Sequence, residues 1–275
     1  MTNLYRLLFW PTFFFCQLIA LALISWHLLA QFHFAYPTGY QLLGLEKHIQ
    51  EYAPLNRYKQ AFEFTSPQEH WRLFGEISHA VQHSGKGLDT IRYSLRDGST
   101  TPLMHEAEII HLQDVANLID AFYKVGLGCL IIWLLLFGLA YWKKFTPPAS
   151  KKVLAGFLIA AAVLAVTVML IGPTAVFYWL HVQVFPEGHQ WFFYYEESLM
   201  TTLMKAPDIF AFIALLLISV LIALWCLCVF ASQRLLYFPP KKIAAKESCS
   251  KRELQQKRIS AKKNHTKNIK IKKSK

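Results

Sequence analysis

The sequence predicts an all-α fold: a four-transmembrane-helix bundle with a helical extracytoplasmic cap between spans 1 and 2. Four apolar segments, roughly Leu8–Leu29, Val125–Trp142, Val153–Leu180 and Ile209–Ser232, reach or approach the length needed to cross a bilayer as a helix, about 20 residues. The stretch between the first two carries helix-start signals and helical hydrophobic spacing. Lysines gather beside the spans at one set of ends.

Span 1 reads as a retained anchor. It is long, begins after a single basic residue, and lacks a good small-residue cleavage pattern near Ala30 and Ala35. The connection from Lys143 to Lys152 holds four lysines, and the segment from Arg234 to Lys275 holds fifteen Lys or Arg against Glu247 and Glu253. The connection from His181 to Asp208 has only Lys205. The positive-inside rule therefore predicts cytoplasmic chain ends, with the cap (32–124) and the loop 181–208 outside. This divides the chain into a four-span membrane domain, residues 1–232, and a basic, disordered cytoplasmic tail, residues 233–275.

The formal charge of +12 belongs almost wholly to that tail, which contributes +13 and leaves the remainder near −1. With almost no aromatics beyond Tyr237 and Phe238, the tail lacks stacking residues for single-stranded nucleic acid. Anionic inner-leaflet lipids are its expected partner, and no specific nucleic acid is expected. Cys16, Cys129, Cys226 and Cys228 fall within spans and Cys249 in the tail, so the external loops hold neither disulfides nor a thiol nucleophile.

Within the cap, Ser66-Pro67-Gln68-Glu69 is a capping box, and Trp71, Phe74, Ile77 and Val81 follow at helical spacing, which predicts a helix from Pro67 to about His83. Leu88 to Leu95 reads as a second short helix, Arg96-Asp97-Gly98-Ser99 as a turn, and Thr101-Pro102 as the start of a third helix running into span 2.

Chemistry concentrates at two histidines. His111 lies on the third cap helix and His181 just after span 3, so the topology brings both to the mouth of the bundle on one side of the bilayer. Asp114, three residues from His111, shares its helix face and is expected to orient the imidazole and raise its basicity; Glu108, a turn the other way, is placed to assist. The competing reading is an ordinary surface histidine with a helix ion pair. His27, His33, His48, His70, His79, His83 and His189 read as surface or interfacial, and His265 belongs to the tail. His111, Asp114, His181 and Glu187 or His189 offer possible metal ligands, but no compact zinc spacing joins them, so no metal and no cofactor are expected. A GxSxG elbow, a phosphate loop and GxGxxG are all missing, which leaves serine-hydrolase and nucleotide-driven mechanisms without local support.

At these residues the chain resembles the bacterial lipoprotein intramolecular transacylase (Lit) family of four-span proteins. The resemblance rests on Pro102-Leu-Met-His-Glu-Ala-Glu-Ile-Ile-His111-Leu-Gln-Asp114-Val115, then a span, a lysine-flanked loop, a span, and His181-x-x-x-Phe185-Pro186-x-Gly188-x-x-Trp191-x-Phe193. Leu112 stands where the family usually has Met, Gln183 where Glu is common, and Glu197-Ser198-Leu199-Met200 in place of D-T-L-I. The resemblance implies transfer of an acyl chain within a diacylglyceryl lipoprotein, from the glyceryl ester to the N-terminal cysteine amine, at the bacterial cytoplasmic membrane. The substrate's own amine is then the nucleophile, so the protein needs no Ser or Cys of its own. His111 and His181, supported by Asp114, become the candidate catalytic residues, and Trp191, Phe185, Tyr194 and Glu108 the candidate substrate-binding ones. Trp191, Tyr194 or backbone N–H groups are the available oxyanion donors. Membrane lipid and a lipidated protein are the implied partners; the alternative is a non-catalytic membrane scaffold or lipid-binding protein with the same fold.

Overall fold

A computed structural model describes residues 3–237; the basic tail beyond them, Cys249 included, lies outside the described residues. Four helices are long and apolar enough to span a membrane: α1 (Asn3–Gln31), α5 (Glu106–Lys143), α6 (Ser150–Ile171) and α9 (Asp208–Leu235). With the cap helices α2 (Tyr36–Leu42), α3 (Leu45–Tyr52) and α4 (Pro67–Gln82), and with α7 (Pro173–Val184) and α8 (Leu199–Met204), they make the all-α bundle that the sequence predicts. α2 has Pro37 and α3 has Glu46 in its first turn, but neither has a side-chain cap.

The spanning helices expose apolar side chains that only lipid can solvate. α6 contains no buried residue, and Leu170 is 83% exposed. α1 packs on α5 and α9, and Gly126 brings α5 so close to α1 that an added Cβ would lie 2.7 Å from Leu23. At 38 residues α5 is about 57 Å long, well beyond the bilayer core. Its first half carries Glu106, Glu108, His111, Asp114, Asp120 and Lys124 and packs on α4, while residues 125–143 are the apolar stretch long enough to cross a membrane. At the opposite end Trp10, Phe13, Ala140 and Leu236 cluster with Phe145, which gathers the start of α1, the end of α5 and the end of α9 beside the four lysines.

The cap has its own core, centred on Leu73, Phe74, Ile77, Tyr93 and Leu103. Tyr36 stacks on Phe74 with ring centroids 4.0 Å apart. The Ser66 hydroxyl caps α4 by accepting the Glu69 N–H, as the capping box requires.

Three local expectations are corrected. Residues 88–95 do not form a helix: a short 3₁₀ turn at Leu88–Thr90 leads into β1 (Arg92–Ser94), paired antiparallel with β2 (Thr100–Pro102) in the register Tyr93↔Thr101. Ile91 and Tyr93 are buried while Arg92 and Ser94 are exposed, a period of two that burial selects over helix propensity. Because Thr101 and Pro102 are taken by the hairpin, α5 starts later, at Glu106, where Glu108 Oε2 accepts the His105 N–H. Span 3 is not continuous either. Gly172, at φ +95°, and Pro173 break it into α6 and α7, since proline supplies no N–H and glycine permits the turn.

Candidate functional site

α7, set off from α6 by the Gly172–Pro173 break, forms one wall of an apolar cleft of about 930 Å³. The facing walls are the Phe74–Gln82 stripe of α4, residues 111–119 of α5 and the Phe210–Leu217 stretch of α9. His111 and His181 both line it, as do Phe185 and Trp191. The Phe185 ring lies 5.0 Å from the His111 ring and 5.3 Å from that of His181, so one aromatic side chain touches both imidazoles. Trp191 packs on His181 at 4.7 Å and Phe193 on His111 at 6.0 Å.

The two imidazoles differ in what surrounds them. His181 Nδ1 is 2.8 Å from the Phe177 carbonyl oxygen, which can only accept; Nδ1 therefore carries the proton and Nε2 keeps its lone pair. His111 Nδ1 is buried with no partner among the described residues. Burial in this cleft pushes the His111 pKa down to about 4; the nearby His181 adds to the effect and Asp114 opposes it. His111 is thus neutral across the physiological range.

Asp114 is not found on His111. Its carboxylate accepts a hydrogen bond from His189 Nδ1 at 2.6 Å, so the expected orienting contact is replaced by a tie to the loop after α7. The i, i+3 spacing puts Asp114 on the neighbouring face, but the carboxylate turns to the cation-capable ring that the loop presents. His189, read as a surface residue, is indeed exposed, yet it carries this pair. Glu108 is also diverted. It is 1% exposed, accepts from the Ser198 hydroxyl and the His105 N–H, and binds the start of α8 to the start of α5. Burial pushes its carboxyl up, against those hydrogen bonds. Tyr194 is 61% exposed and is not part of the cleft lining. Two other histidines do contradict the surface reading, since His48 and His70 are both buried.

Sequence reasoning missed several residues of the site. Ser78 and Gln82, one turn apart on α4, line the cleft. Among the described residues the Ser78 hydroxyl oxygen is buried without a partner, while Gln82 Oε1 accepts from the Trp26 indole at 3.0 Å and from the Tyr123 hydroxyl at 3.3 Å. The signal was present in the helical spacing Phe74, Ile77, Ser78, Val81, Gln82, a greasy stripe with a hydroxyl at its centre. Among the described residues, no three His, Cys, Asp or Glu side chains converge as a group able to hold a metal ion.

An apolar cleft at the cap end of the spanning helices, with two histidines among its few polar groups, suits a lipid-like substrate and proton transfer. No curated protein and no solved structure matches the chain. The model of one family, described as lipoprotein intramolecular transacylase Lit, matches residues 11–207, a stretch that holds both histidines and the aromatic loop between α7 and α8. This multi-pass membrane protein therefore belongs to the lipoprotein intramolecular transacylase Lit family.

Proposed function

We propose that this protein moves an acyl chain within a diacylglyceryl lipoprotein, from a glyceryl ester to the α-amine of the N-terminal lipidated cysteine, using His181 and His111 for proton transfer. The observation that carries the reading is the convergence of two histidines, 70 residues apart, on one apolar cleft through the ring of Phe185. The substrate nitrogen attacks the ester carbonyl carbon, the acyl C–O bond breaks, and the products are an amide and a free glyceryl hydroxyl. One proton must leave nitrogen and one must reach the departing oxygen.

His181 Nε2 holds a lone pair in the tautomer that the Phe177 carbonyl selects; it accepts the amine proton and returns it to the departing glyceryl oxygen. His111, kept neutral by burial, donates a hydrogen bond to the developing oxyanion or the departing glyceryl oxygen. The apolar walls hold both acyl chains beside the amine, which supplies effective molarity. Trp191 and Phe185 are the substrate-side rings of this reading.

The positive-inside rule places the lysine connection in the cytoplasm and the cap, with the cleft, on the outer face of the bacterial cytoplasmic membrane. The four-span unit ends near residue 232, and anionic inner-leaflet lipid is the proposed partner of the basic tail.

The test follows conversion of a diacylglyceryl lipopeptide to its N-acylated lyso product by the purified protein in detergent, using mass spectrometry. His111→Ala and His181→Ala should each lower turnover at least about a hundredfold. Wild-type turnover in both would end the acid–base assignment. A protein that binds the lipopeptide and never converts it would support the scaffold alternative.

A further inference from the structure

We propose that Asp114 and His189 form a latch that seats the aromatic loop over the two histidines, so that Asp114 is a positioning residue acting through His189. The consequence for activity rests on the transacylase reading above; the latch itself does not.

Residues 185–193 connect α7 to the segment before α8 and carry the rings that pack on both imidazoles. Beyond residue 193 the chain is fixed by the buried Ser198–Glu108 hydrogen bond at the start of α8. Before residue 185 it depends on α7, which the Gly172–Pro173 break separates from α6. Farther on, the Arg57 N–H also holds the Glu196 carbonyl at 2.9 Å; within residues 185–193, among the described residues, the His189–Asp114 bond is the hydrogen bond that joins the loop to the cap. The loop is shaped for it: the His189 N–H donates to the Pro186 carbonyl at 3.2 Å and Gly188 sits at φ +85°, a tight turn that directs His189 back toward α5. Asp114 lies one helical turn beyond His111, so a loop tied there sets the Phe185 ring against His111. The side chains of His189 and Asp114 are 40% and 13% exposed, which leaves the latch reachable by water and releasable, unlike the Glu108 anchor.

The experiment uses the full chain in detergent micelles, with two readouts. Amide hydrogen exchange of residues 185–193 reports the latch directly, with exchange of residues 73–81 as the control for an intact cap. kcat/KM for the diacylglyceryl lipopeptide reports its consequence. His189→Ala and Asp114→Ala should each speed exchange in the loop alone and lower kcat/KM about tenfold, with the double variant no worse, because both remove one interaction. His189→Gln, which keeps an N–H donor, should recover most of both readouts, as should the exchanged pair Asp114→His/His189→Asp. Asp114→Ala abolishing turnover while His189→Ala changes neither readout would overturn the proposal and return Asp114 to His111. Unchanged loop exchange in every variant would overturn it as well. If the wild type fails to convert the lipopeptide, the transacylase reading falls and loop exchange still decides the latch.

Discussion

At the residue scale the two histidines differ in how much sequence alone could say. Their meeting was legible, because hydropathy puts both at the same end of the bundle, and Phe185 and Trp191 follow at the spacing the family resemblance supplies. If they share one proton-transfer event, the double variant His111→Ala/His181→Ala should lose little more turnover than either single one, since groups acting as a unit are strongly non-additive. Additive losses would mean that they act in separate steps. What Asp114 and Glu108 do was not legible. Both contacts join α5 to irregular chain 75 and 90 residues away, and no periodicity encodes them. Ser78 supports a separate prediction. Its buried hydroxyl has no partner among the described residues, so Ser78→Ala removes an orphaned polar atom without breaking a bond. The melting temperature in detergent should hold or rise, by the equivalent of up to about 1 kcal/mol. A clear fall would show that the hydroxyl has a protein partner in solution.

At the element scale, helices with a strong signal were legible and strands were not. The capping box at Ser66 and a four-residue apolar period fix α4, whereas β1 and β2 are three residues each and owe their existence to the burial of Ile91 and Tyr93. The break at Gly172 was hidden because the apolar run continues through it. Nothing lies within 4 Å of a Cβ built on Gly172, so an alanine there meets a backbone penalty alone, at φ +95°. Gly172→Ala should lower kcat/KM while the melting temperature falls by only a few degrees, because it re-aims α7 and His181 at a strain of about 1–2 kcal/mol. Equal activity in the variant would show that the break does not position His181.

The cap also predicts an acid limit. Thr65 gives its one hydroxyl proton to the Phe62 carbonyl at 2.6 Å, so it accepts from His70 Nε2–H at 2.7 Å, and the Tyr40 hydroxyl donates to His70 Nδ1 at 2.9 Å. This network holds a neutral ring, and burial pushes its pKa down from 6.5 to about 4. Below pH 6.5 the unfolded chain binds a proton that the folded cap refuses, so stability present above pH 6.5 falls as pH drops toward 4. The change is at most about 3 kcal/mol, at 1.36 kcal/mol per pKa unit. Denaturant titrations at several pH values should show that loss in the wild type and a shallower one in His70→Gln. Identical slopes would place the acid sensitivity elsewhere.

At the scale of the whole molecule, composition and architecture agree on an axis with a direction. One end gathers the terminal turns of α1, α5 and α9 with Lys143, Lys144, Lys151 and Lys152; the other carries the cap, the cleft and both histidines. Gln233 fixes the lysine end, its amide donating to the Pro148 carbonyl at 2.9 Å and its oxygen accepting the Ser150 N–H at 3.1 Å. On the proposed orientation an anionic inner leaflet attracts that end by about 1 kcal/mol per basic residue near the surface, with the cleft on the outer face. The acyl donor and the lipidated amine would then meet the histidines without crossing the bilayer. Cysteine placed at exposed Lys86 in the cap or at exposed Gly188 in the loop should react with an impermeant thiol reagent on intact cells. Native Cys16, Cys129, Cys226 and Cys228 lie within spans, and Cys249 lies in the tail, so the unsubstituted chain should stay unlabelled until the membrane is permeabilised, when Cys249 should react. Labelling of Cys249 on intact cells, with Lys86→Cys and Gly188→Cys protected, would invert the axis. The histidines would then face the cytoplasm, away from lipoproteins carried to the outer surface.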